Sequence, residues 1–148
     1  MRTDSFEAAT AALWASLGLP GPVPDRPSLR IDGRTLRLSP APDGRQVVIE
    51  AELGRLPPDR TGRGEALRRL MRDGLGLVLT HRACLRLQDD AVTVVAAGPC
   101  RADAVPALRE RIEEVLHLLD LHGPTLDGAA PAPSADRVLD HQAVILRL

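Results

Sequence analysis

From Leu29 onward the apolar residues fall on every second position, a period that places them on one face only if the chain is extended. Leu29 and Ile31 run into Asp32-Gly33, and Leu36 and Leu38 follow. After Pro40-Ala-Pro-Asp-Gly44 the pattern resumes at Val47, Ile49, Ala51 and Leu53. Asp-Gly between two alternating runs supplies the positive φ angles that a two-residue hairpin turn requires. Glu50 and Glu52 lie on the opposite side, so residues 29–53 are predicted to form a three-strand antiparallel meander with one wet face.

The flanking segments change period. Phe6, Ala9, Leu13, Trp14 and Leu17 recur at helical spacing behind Asp4 or Ser5 as N-cap, and Gly18 marks the end of that helix. The proline-rich stretch to Pro27 cannot continue it, because each proline lacks an amide donor and restricts the residue before it. Beyond Pro57-Pro58, Asp59 or Thr61 opens a second helix carrying Leu67, Leu70, Met71 and Leu75, with Gly74 and Gly76 at its end. Leu85 and Leu87, an Asp89-Asp90 turn, and Val92, Val94 and Ala96 read as a hairpin. Asp103 is then expected to cap a third helix whose stripe is Val105, Leu108, Ile112, Val115, Leu116 and Leu119, with Arg109, Glu110, Glu113 and Glu114 toward water.

The fold class that follows is α+β: helix, three-strand meander, helix, β-hairpin, helix (α-β-β-β-α-β-β-α), ending in an apolar tail. The 148 residues suffice for one core. The expected organisation is a domain over 1–125, a Pro/Ala-rich linker over 126–136 after Gly123-Pro124, and an apolar tail over 137–148. The period of the tail does not separate strand from helix.

The core must be aliphatic, since the chain has one Trp, one Phe and no Tyr. All 19 basic residues are arginine, which reads as the codon bias of a GC-rich genome. A net charge of −1 without a basic stripe, and without stacking aromatics, argues against a nucleic-acid ligand. The N-terminus lacks the apolar run of a signal peptide, and no stretch approaches a membrane span, so a cytoplasmic location is expected. Cys84 and Cys100 are expected to be reduced core thiols.

No constellation suited to chemistry emerges. His81, His117, His122 and His141 are scattered, and a separation of five positions between His117 and His122 does not put two imidazoles on one helical face. Cys84 has His81 three residues before it, but a thiolate nucleophile also needs a group to orient the imidazole, and none is identifiable. Asp89-Asp90 and Glu113-Glu114 read as a turn and a solvated helix face. Gly18-x-x-Gly21 and Gly62-x-Gly64 lack the strand-turn-helix context of a phosphate loop. The expectation is a binding protein, not an enzyme, with no cofactor and no metal.

On this order of elements sit Leu17-Gly-Leu19, Leu29-Arg-Ile-Asp-Gly33, Ala51-Glu-Leu-Gly-Arg-Leu-Pro57, Leu67-Arg-Arg-Leu-Met71 and Ala83-Cys-Leu-Arg-Leu87. Together they resemble the class I type III secretion chaperones, the family that includes the Tir chaperone. The resemblance spans roughly residues 5–122. It implies a cytoplasmic homodimer of a Gram-negative bacterium that serves virulence. Such a dimer holds the N-terminal chaperone-binding segment of a secreted effector in extended form, competent for export, with the secretion ATPase as a further partner. It also implies a dimer seam through the second helix and second hairpin, which nominates Leu67, Leu70, Met71, Leu75 and Leu85. For effector contact it nominates Trp14, Leu17, Leu29, Leu36 and Val48. Val48 has a physical argument of its own, since it falls opposite Val47, Ile49 and Ala51 on the wet face. The alternative is a regulatory or structural dimer of the same fold that binds a folded partner.

The apolar tail from Val138 is not a feature of that family. It is expected to dock as a strand on an exposed sheet edge or in the peptide groove, of its own or a neighbouring subunit. Removing residues 127–148 should then raise affinity for an extended peptide.

Overall fold

The computed structural model describes residues 5–126 and 144–146. The first helix, α1, spans Phe6–Ser16. Ser5 is its N-cap, its hydroxyl oxygen accepting the Ala8 amide at 3.1 Å. The helix stops at Leu17, after which Gly18 takes a φ of +65° that other residues adopt only with strain. Thr10 is buried without cost to its hydroxyl, which donates back to the Phe6 carbonyl at 2.7 Å.

The meander forms as expected: β1 is Ser28–Ile31, β2 is Arg34–Pro40 and β3 is Gln46–Arg55. Asp32 and Gly33 both have positive φ, 50° and 78°, which sets Ile31 opposite Arg34 and Leu29 opposite Leu36. The second hairpin, β4 (Ala83–Gln88) and β5 (Ala91–Pro99), joins the same sheet because β5 pairs antiparallel with β3. The strand order is β4-β5-β3-β2-β1, and the last strand, β6 (Val144–Leu146), lies parallel on the outer side of β1.

One face of the sheet is covered by α1 and by α3, which spans Val105–Leu126. Leu13, Leu29, Leu36, Ile49, Val94, Leu108, Leu118 and Leu119 are fully buried between them. Each such side chain contributes about 1.5–3 kcal/mol by leaving water. The remaining helix, α2, spans Arg60–Thr80 and packs on β4 and α3. A second cluster, Leu56, Ala66, Leu70, Val92 and Leu126, roots α2 to the sheet.

The structure departs from the sequence reading in several places. α2 does not end at Gly74 and Gly76 but runs to Thr80. Each helical glycine costs about 1 kcal/mol relative to alanine, but the extra turn buries Leu77 in the main core. Asp59, not Thr61, caps this helix, accepting the Gly62 amide at 2.6 Å. Asp103 caps nothing. It sits in a short 3-10 turn over Ala102–Ala104, where Arg101 grips its carboxylate through two hydrogen bonds of 2.9 and 2.5 Å and holds its pKa below the ordinary value.

α3 likewise continues through Gly123-Pro124 into the first residue of the expected linker. Leu126 is drawn in by the second cluster, and it fits because Gly54 carries no side chain: a Cβ there would lie 3.1 Å from that of Leu126. The phrase Ala51-Glu-Leu-Gly-Arg-Leu-Pro57 thus has a packing reason for its glycine. It also contains a bulge between Glu52 and Gly54, which re-aims Leu53 so that it packs against both clusters. Cys100 is buried, whereas Cys84 is exposed and not a core thiol, because it lies on the sheet face away from the helices. The remainder of the expected linker, and residues 137–143 and 147–148 of the tail, lie outside the described residues.

Candidate protein-binding surfaces

α2 shows water an apolar stripe. Met71, Leu75 and Leu79 recur every fourth residue and are 70%, 72% and 86% exposed. Leu87 of the adjoining edge strand β4 is exposed too. Among the described residues only one further large apolar side chain is so exposed, Leu121 on α3. Scattered single exposures need no explanation, but a run along one helix beside a sheet edge is a surface that binding would cover.

The five residues nominated for a dimer seam divide here. Met71 and Leu75 lie on the open stripe. Leu70 faces inward in the second cluster, and Leu67 and Leu85 are half-buried at its margin. Leu79 and Leu87 join this surface without a sequence nomination, Leu79 because the helix continues past Gly76. The signal was present, since Leu79 continues the four-residue spacing of Leu67, Met71 and Leu75.

The residues nominated for effector contact also divide. Leu29 and Leu36 are opposite one another on the helix-covered face and fully buried, so a partner meets only their backbone. Trp14 is buried under the proline-rich connection, and together with Pro20–Asp25 it lines a surface pocket of about 430 Å³. Leu17 is half-buried against the core beside it. Val48 lies on the uncovered face, between Ser39 of β2 and Ala97 of β5. Val95 and Ala97 are half-buried on that face, and Glu50 is tied across it to Arg86 at 2.6 Å. The uncovered face is therefore a small apolar centre within a charged frame.

The histidines sit among neighbours on the helices rather than in a cluster with other chemistry-bearing groups. The His81 ring lies 2.7 Å from the Thr80 hydroxyl and stacks on His117, with centroids 6.2 Å apart. His122 is buried with its Nδ1 3.7 Å from the Asp73 carboxylate, linking α3 to α2. His141 lies outside the described residues. Among the described residues no three His, Cys, Asp or Glu side chains gather as a metal site would require, and no helix is long and apolar enough to cross a membrane.

This arrangement, five antiparallel strands of the sheet with two helices on one face and a third flanking the β4 edge, is a fold shared with chains of solved chaperone-effector and type III secretion complexes. A chain of the HopA1-SchA chaperone-effector complex superposes with a TM-score of 0.61 at 16% identity, covering 78% of this chain and 90% of that one. A chain of the heterodimeric ExoU-SpcU complex from the type III secretion system of Pseudomonas aeruginosa gives 0.61 at 17% identity, covering 80% and 98%. A chain of the ExsC-ExsE complex gives 0.62 at 14% identity, covering 90% and 98%. No protein family and no curated protein matches the sequence.

Proposed function

We propose that the protein is a type III secretion chaperone, a dimer through α2 and β4 that holds the N-terminal segment of a secreted effector in extended form for export. The observation that carries this reading is the shared fold over 90–98% of chains drawn from complexes, two of which are by their names bound to effectors or part of that secretion system. The stripe of Met71, Leu75 and Leu79 supports the dimer. Trp14, at the pocket beside α1, Leu17, half-buried at the end of that helix, and Val48, on the open sheet face, support the contact with an effector. The role requires no cofactor, and the cell compartment it implies is the cytoplasm.

Co-expression with the N-terminal segment of each secreted protein encoded beside the gene tests it. The expected product is a soluble complex of two 15.9 kDa chains with one effector segment. A monomer that co-purifies with none of them overturns the reading.

A further inference from the structure

β1 is the outermost antiparallel strand, and what covers its free side comes from the far end of the same chain. Leu29 lies opposite Val144, Arg30 opposite Ile145 and Ile31 opposite Leu146, all in parallel register. The Leu38 amide donates to the Pro27 carbonyl at 2.9 Å. Antiparallel pairs alternate between bonded and non-bonded, so Leu29 and Ile31 direct their amides and carbonyls toward β2, while Ser28 and Arg30 direct theirs outward. An edge with outward-directed backbone groups is a template for any extended segment, and main-chain pairing makes it tolerant of sequence.

We propose that the C-terminal strand is a displaceable internal occupant of the β1 edge, so that an extended segment from another protein can pair with β1 only by displacing it. Three paired residues are a short hold. Residues 127–143 can span roughly 55 Å at about 3.3 Å per residue, so β6 can leave the edge without moving α3. Tethering keeps it a strong competitor all the same, since a linked segment acts at a high effective concentration. The opposite edge, β4, borders the α2 stripe assigned to a second copy, which leaves β1 as the edge available to a guest. The occupied edge stands on the strand pairing alone. Only the identity of the displacing guest as an effector rests on the chaperone reading.

The test uses the full chain and its variant Val144→Pro/Leu146→Pro, which removes the two tail donors that the parallel register aims at β1. Amide exchange at Arg30 reads the edge directly. It should be at least about tenfold slower in the wild type than in the variant, and adding a synthetic peptide of residues 137–148 should restore protection to the variant. The same peptide, fluorescently labelled, should bind the variant at least about tenfold more tightly than the wild type, because in the wild type only the small fraction with an open edge is competent. An Arg30 amide that exchanges equally fast in both proteins, or equal peptide affinity, overturns the proposal. If these differences appear and no secreted protein binds either form, the occupied edge stands and the chaperone reading falls.

Discussion

Replacing Met71 and Leu75 together by glutamate should turn the protein from a dimer into a monomer, halving its mass in sedimentation or light scattering to 15.9 kDa. Both side chains are mostly exposed in the subunit, so neither substitution removes a core contact. The subunit itself should lose only the few tenths of a kcal/mol that two like charges one helical turn apart cost. In a dimer seam the same carboxylates would be buried without partners. Truncating a central apolar anchor alone costs about 2 kcal/mol or more, and an unpaired buried charge adds several more. Two such sites should weaken association by at least about a thousandfold, at roughly 1.4 kcal/mol per factor of ten. A double variant that stays dimeric with unchanged affinity would remove α2 from the seam.

Leu108→Ala should be the most damaging single truncation in the core. Leu108 is fully buried, and it fills space that Gly98 leaves open on β5: a Cβ on Gly98 would lie 2.6 Å from Leu108 Cδ2. With no side chain at Gly98 to relax into the void, the cost should fall in the upper part of the range for such changes, about 3–5 kcal/mol. Against a total stability of about 5–15 kcal/mol this lowers Tm by roughly 10 °C. Denaturant unfolding in the Met71/Leu75 glutamate background measures it free of the concentration dependence that a dimer would bring. Gly98→Ala should recover part of the loss when Leu108 is alanine and be unfavourable when it is leucine, a coupling that a double-mutant cycle reads directly. Additive effects would contradict the packing described.

The period-two alternation around Asp32-Gly33 carried the meander, because register and face both follow from strand geometry and a turn of known type. The element order was legible for the same reason: α+β, with the three helices where helical spacing placed them. What the sequence left unread was decided by contacts between distant segments. Nothing local says that β3 pairs with β5, nor that Gly74 and Gly76 are carried inside α2 by the burial of Leu77. The same holds for Leu126, which is held at the end of α3 by its fit against Gly54. The tail shows the limit most plainly. Three residues are too few to display a period, and their partner strand lies more than a hundred positions earlier.

The candidate surfaces were legible in part. Met71 and Leu75 are exposed on α2 and Val48 lies on the uncovered sheet face; alternation sets Val48 apart from its neighbours, whereas Met71 and Leu75 share their helical spacing with Leu67 and Leu70 and only the resemblance nominates them. Leu29 and Leu36 belong to the same alternating set as Ile31 and Leu38, and that shared phase is a core signal. Leu70 follows the same logic, since it shares the inward side of α2 with Ala66 and Leu77.

Whether this small body keeps a guest unfolded can be read by time-resolved proteolysis of a co-purified effector followed by mass spectrometry. One contiguous N-terminal stretch of the effector should be cut at every accessible site when free, spared when bound, and without folded structure of its own in either state. A bound effector whose N-terminal stretch is digested as fast as the free one, or is already folded before binding, would contradict it.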